Sequence, residues 1–289
     1  MRRFRPARAG RYALFLLVLL LAALALVTKP VAAQEDAPQG SRPSLFDEIL
    51  DLYVRDGLVY YRALKIERTR FDRVVDQLAA VREGGLSRDE RLAFWLNAYN
   101  ALVLRTVIDH YPVTGKSGLY PANSIRQIPG AFESVKHQVA GRPLTLDEIE
   151  NKVLPEFHDP RVYFALGRGA ISSGRLRSEA FAADRLEAQL TEVAAECARR
   201  PECIQIDQSR NQVLASSIFS WRERDFAAAY AGAASSRFSG RSPVERAVLA
   251  YVEPRLFGLE QEFLARDAFE LKFLDFDWSL NDLTGRGGR

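Results

Sequence analysis

Ser87-Arg-Asp-Glu-Arg-Leu-Ala-Phe-Trp-Leu-Asn-Ala-Tyr-Asn-Ala-Leu-Val-Leu-Arg-Thr-Val-Ile-Asp-His110 is the stretch on which the fold turns. Ser87 and Glu90 have capping-box spacing: the Ser oxygen can accept from the amide three residues on, and the Glu carboxylate can reach back. Beyond the cap, Leu92, Phe94, Trp95, Leu96, Tyr99, Leu102, Val103, Val107 and Ile108 leave almost no polar face. A helix that is apolar on nearly all sides is central and buried. Asn97 and Asn100 interrupt it at i and i+3, so they share a face. They either pin a neighbouring loop or line a site.

Around this helix the chain alternates short elements. Upstream, Leu45 to Val54 and Phe71 to Val81 are amphipathic helices, with β-prone Gly57–Tyr61 between them. Downstream, His110-Tyr-Pro112 ends the central helix, since a residue before Pro disfavours helical geometry. Val135 to Val139 is expected as a strand. Thr145-Leu-Asp-Glu148 is a second capping box opening a helix to about Leu154, and Val162 to Leu166 is expected as a buried strand. Ala183 to Arg199 has helical spacing. Ile204–Ile206 and Val213–Leu214 resemble a hairpin, and Ser216 to Phe226 a short helix. Ala227 to Gly240 is Ala-, Ser- and Gly-rich and expected as a mobile loop. Ser242-Pro-Val-Glu245 is a third capping box, and Leu271 to Trp278 the last strand. There is no repeat and no βαβ rhythm. The expected class is α+β: a single compact domain over 45–283, mostly helical, with a small mixed or antiparallel sheet and a loose tail at 284–289.

The N-terminus reads as an address. Arg2, Arg3, Arg5, Arg8 and Arg11 precede an uncharged run from Tyr12 to Val27, and Val31-Ala32-Ala33 suits cleavage before Gln34. These are the parts of a secretory signal peptide over 1–33, with 34–44 as a flexible tether. The alternative is an uncleaved inner-membrane anchor at 12–27. The leader holds six of the 40 Lys and Arg and none of the 37 Asp and Glu. The remainder therefore carries 34 basic and 37 acidic residues, and the basic surface that nucleic-acid binding requires is missing. The chain is expected to be exported to the periplasm, an oxidising compartment. Cys197 and Cys203 are then expected to pair, closing a loop that adds about 2 kcal/mol, rather than stay as two free thiols.

The chemistry-bearing residue types are sparse. His110, His137 and His158 show no zinc spacing, and no phosphate loop or nucleophile elbow occurs, so no metal or cofactor is expected. The segment Val162 to Arg177 places Arg168, Arg175 and Arg177 among Gly167, Gly169 and Gly174, with Ser172 and Ser173 between. Glycines admit a ligand close to the backbone and Arg forks onto carboxylate or phosphate. The loop is either an anion site or a solvated loop with Arg177 paired to a carboxylate.

Ala93-Phe-Trp-Leu-Asn-Ala-Tyr-Asn-Ala101, His110-Tyr-Pro112, Ser124-Ile-Arg126, Leu144-Thr-Leu-Asp-Glu-Ile-Glu150, Asp159-Pro-Arg161 with Phe164-Ala-Leu166, Leu176-Arg177 with Glu179-Ala-Phe181, Ile218-Phe219 with Asp225-Phe226, and Phe276-Asp-Trp-Ser-Leu-Asn281 occur in one order. In that order they resemble domain-of-unknown-function family 547, from about residue 45 to 282. The family's strand-loop resembles Ala-Leu-x-Cys-x-x-x-Ser-Cys-Pro-x-Leu-Arg. Here Arg168 and Ser173 stand at the two Cys positions and Gly174 at the Pro. The family's Ile-Glu-His is Ile149-Glu150-Asn151. A Cys and a His on facing elements imply thiol chemistry in the family, because a Cys needs a base or cation to become thiolate. Both partners are replaced here, and Asn151 cannot serve as a base.

The resemblance thus implies an exported, envelope-associated binding or scaffolding module with a degenerate thiol site, for an anionic or peptide ligand. Asn97, Asn100, Arg126, Glu150, Asn151, Arg168, Ser172, Ser173 and Arg177 are its expected cleft. The alternative is a periplasmic hydrolase or acyl-transferase using Ser173 with a distant base such as His137 or His158. A redox role for Cys197 and Cys203 would need those sulfurs at the cleft.

Overall fold

In a computed structural model of the protein, residues 44–285 are described. The leader, the tether up to residue 43 and the tail from 286 lie outside them. Helix α1 spans Leu45–Tyr53. A two-residue hairpin follows, β1 Val54–Arg55 against β2 Leu58–Val59. Next come α2 Tyr61–Ile66, α3 Arg68–Ala80 and the central α4 Arg88–His110. The Ser87 cap closes in both directions: Ser87 N donates to Glu90 Oε2 at 2.7 Å, and Glu90 N to Ser87 Oγ at 3.3 Å. Trp95, Leu96, Tyr99, Leu102 and Val107 on α4 are fully buried, as an all-round apolar helix requires. Among the described residues no helix is long and apolar enough to cross a membrane.

β3 His137–Val139 pairs antiparallel with β4 Arg142–Leu144 across Ala140 and Gly141. Both turn residues have positive φ (51° and 75°), the conformation a two-residue hairpin loop demands. The second capping box opens α5, Leu146–Glu148, which passes at once into a π-helical turn, Ile149–Val153, and a 3₁₀ turn, Leu154–Phe157. The expected regular helix is therefore widened where Glu150 and Asn151 sit.

The strand expected over Val162–Leu166 does not form. Pro160–Phe164 is a 3₁₀ helix, with Asp159 Oδ1 accepting from Arg161 N at 3.1 Å and Pro160 at the first turn. A short apolar run looks the same as a buried strand or a buried turn, and the Asp-Pro start favours the turn.

α6 covers Leu186–Arg199, and β5 Ile204–Asp207, β6 Gln212–Ala215 and β7 Glu270–Phe273 form a mixed sheet. β5 and β6 are antiparallel; β6 and β7 are parallel. Cys197 and Cys203 are paired, joining the end of α6 to the start of β5. α7 Ser217–Trp221, α8 Glu223–Tyr230, α9 Pro243–Val252 and α10 Gly258–Ala265 complete the helices. The expected mobile loop at 227–240 is another correction. Its first four residues continue α8, and Phe238 is fully buried. Ala is the best helix former, and Phe226 and Tyr230 at i and i+4 both pack on Tyr251, with centroids 5.8 and 5.2 Å away. The last strand stops at Phe273, short of the expected Trp278. The molecule is thus α+β, mainly helical, with small sheets.

The C-terminal segment ties the ends of the domain together. Val59 N donates to Asn281 O at 2.8 Å and Leu283 N to Val59 O at 2.9 Å. Ile171 N donates to Ser279 O at 2.9 Å, so the same segment also holds the 167–177 loop. Leu274 N still donates to Ala215 O at 2.7 Å, and the chain leaves the sheet before Phe276 and Trp278.

Candidate functional site

Arg168 is not a surface cation. It is 2% exposed, and its guanidinium forks onto Glu150: Nη2 to Oε1 at 2.7 Å and Nε to Oε2 at 3.1 Å. Its Nη1 donates to the Tyr163 carbonyl at 3.1 Å. Glu150 accepts two more bonds, from Tyr99 Oη at 2.8 Å and from Arg222 Nη2 at 2.7 Å. Arg222 Nη2 also donates to Asn151 Oδ1 at 2.6 Å. A buried carboxylate is tolerable only when its charge is paired and its lone pairs are bonded, and here both conditions hold. Burial alone would push the Glu150 carboxyl up; the charges and hydrogen bonds of Arg168 and Arg222 outweigh it and hold the group at about 2. Burial and the Glu150 charge push the Tyr99 phenol well up, so it remains a donor.

This network forms the floor of an open cleft of about 260 Å³. Arg126, Asp147, Asn151 and Arg222 line it with Phe132, Trp221 and Trp278. The Arg126 guanidinium carbon lies 4.3 Å from the Phe132 centroid and 4.6 Å from that of Trp278, and Arg126 pairs with Glu133. Arg222 lies 4.6 Å from the Tyr163 centroid. Such stacking holds a flat guanidinium in one orientation. The Nε atoms of Arg126 and Arg222 are both buried with no hydrogen-bond partner. Asp147 has its carboxyl pushed up, first by burial and then by the charges of Glu133 and Glu150.

Of the expected cleft residues, the structure brings Arg126, Glu150, Asn151 and Arg168 together. Arg168 and Asn151 thus line one cleft. The others serve elsewhere. Asn97 donates to the Phe181 carbonyl at 2.8 Å and accepts from its amide at 2.9 Å. Asn100 does the same across the loop, to Ala165 O at 3.0 Å and from Gly167 N at 2.8 Å. Both asparagines pin neighbouring backbone. Ser172 Oγ accepts from Asp277 N at 2.9 Å, fixing the C-terminal segment. Arg177 pairs with Glu179 and Glu192, away from the cleft lining. Ser173 is buried and its Oγ accepts from Arg168 N at 3.1 Å. It faces a small recess beside the Cys197–Cys203 bridge. His137 Nε2 lies 3.3 Å from Thr106 Oγ1, and His110 Nδ1 bonds the Thr106 carbonyl at 2.9 Å. Among the described residues no histidine bonds Ser173. None of them forms a group of three or more His, Cys, Asp or Glu placed to hold a metal ion.

Residues 84–196 match the model of the family described as "Protein of unknown function, DUF547". Over this segment the chain resembles the DUF547 family. It includes α4, the π-helical turn and the 167–177 loop, and hence Glu150, Asn151 and Arg168. Arg222, Trp221 and Trp278 lie beyond the match. No curated protein and no solved structure matches the chain.

Arg222, Asp147, Trp221, Phe132 and Trp278 were missing from the sequence-derived cleft. Asp147 and Trp278 lay inside motifs already legible. Arg222 had no local signal, because its partner Glu150 is 72 residues away.

Proposed function

We propose that the chain is an exported, envelope-associated member of the DUF547 family that binds a small anionic ligand and has lost the family's implied thiol chemistry. One observation carries this. The cation at the Cys position is committed to Glu150, while Arg126 and Arg222, each held against an aromatic ring, line the same cleft. A guanidinium has no lone pair to offer as a nucleophile and no accessible deprotonated form, so Arg168 cannot replace a thiolate. Guanidiniums stacked along a cleft wall instead suit a carboxylate or phosphate. The placement of Ser173, bonded to Arg168 N and without a histidine, weighs against the hydrolase alternative.

Thermal unfolding of the full chain with a panel of small carboxylates and inorganic phosphate tests the binding. A ligand at a hundred times its Kd adds about 2.7 kcal/mol, and Arg126→Gln is expected to remove most of that gain. Turnover of ester, amide or peptide substrates that disappears in Ser173→Ala would overturn the proposal.

Export is the second half of the proposal. The chain recovered from the envelope of an expressing bacterium is expected to begin at Gln34. An intact N-terminus in the membrane fraction would instead favour an anchor at residues 12–27.

A further inference from the structure

The aromatic residues of the cleft bear on what accompanies the anion. Trp221 and Phe276 have centroids 4.8 Å apart, Phe276 and Trp278 4.5 Å, and Trp221 and Trp278 6.2 Å at 18°. Together they form one continuous patch. Trp221 is 46% exposed, leaving a broad indole surface in water that the core does not use. The next residue is Arg222, so shelf and cation leave the same turn of chain. Arg126, its guanidinium carbon 4.6 Å from the Trp278 centroid, puts a second cation against the patch.

Apart from Phe132, which is 2% exposed with Arg126 against its ring, the remaining lining is charged or amide. No aliphatic side chain faces the cleft among the described residues. An apolar peptide side chain therefore finds a shelf but no enclosing apolar wall, which pockets for such groups supply. A pyranose ring suits a shelf better: one face is C–H and lies on an indole, while its edge carries hydroxyls. Asp147 and the Asn151 amide stand at the rim with hydrogen-bonding capacity for those hydroxyls. Inside the cleft, Arg126, Arg168 and Arg222 stand with Asp147 and Glu150, and Arg126 also pairs with Glu133.

We propose that the cleft takes a carboxylate-bearing saccharide, with a sugar face on Trp221 and the carboxylate between Arg222 and Arg126. This rests on the anion-binding proposal for the same cleft. The test is intrinsic tryptophan fluorescence of the full chain, titrated with an oligosaccharide containing glucuronate, its neutral glucose counterpart, and a short acidic peptide of equal charge. The glucuronate probe is expected to saturate, with the neutral sugar at least tenfold weaker. Trp221→Ala is expected to weaken it at least tenfold, read by calorimetry because the reporter ring is gone, and Trp221→Phe to recover part of the loss. Trp221 is half exposed, so the variants should fold, and circular dichroism checks this. Saccharide binding unchanged in Trp221→Ala overturns the shelf. Saturation by the peptide and not by the saccharide overturns the ligand class while leaving anion binding intact. Wild type that binds neither these probes nor any small anion overturns both proposals.

Discussion

Glu150→Gln is expected to destabilise the protein by about 3–5 kcal/mol, the range for removing one partner of a buried ion pair. The cause is what remains. Arg168 and Arg222, 3% and 16% exposed in their side chains, would face a neutral amide while both keep their charge. Tyr99 loses a charged acceptor as well. Equilibrium urea unfolding at neutral pH measures the loss; a change below about 1 kcal/mol would rule out a working ion network.

The same group makes an acid-range prediction. The Glu150 carboxyl is held at about 2, below its ordinary 4.5. Its contribution is complete above the ordinary value and is lost as pH falls from about 4.5 toward 2. The gap between wild type and Glu150→Gln should therefore narrow across that window, and a constant gap would contradict the assignment. Adding Arg168→Met to Glu150→Gln should recover part of the stability, because replacing both buried charges is far less costly than orphaning one.

Gly174→Ala is expected to cost at least about 3 kcal/mol, at the upper end for forced overpacking. A Cβ at 174 would overlap the Phe164 carbonyl and lie 2.9 Å from the Phe164 Cα. That backbone has little room to retreat. The Phe164 ring packs on Phe219, Phe226 and Tyr251 with centroids 4.9 to 5.8 Å away. Gly84→Ala, where a Cβ meets nothing within 4 Å, is the control and should stay within about 0.5 kcal/mol. Equal losses in the two variants would show that the close approach at 174 is not real. A proline here would bring the same clash. Any side chain at 174 is thus incompatible with this chain path.

Several features were legible locally because their physics is local. All three capping boxes, at Ser87, Thr145 and Ser242, form as the spacing demands. The all-round apolar pattern put α4 at the centre, and the turn at Asn211 joins the expected hairpin strands β5 and β6. Elements were misjudged where local pattern is ambiguous. Val162–Leu166 could pack as strand or turn, and the Ala-rich run after Phe226 resembles a loop until Tyr251 gives it a surface.

The site divides along the same line. By itself the sequence determined the central helix, the α+β class and the family likeness. These depend on neighbours in the chain or on residue identity. Only the tertiary structure decided that Arg168 is a buried partner of Glu150, that Arg222 completes the pair from 72 residues away, and that Trp221 and Trp278 share the cleft with Arg126. A guanidinium is read as a ligand-binding surface group or a structural counter-ion according to its burial and its partner. Both are set by packing between distant segments, and no spacing along the chain encodes them.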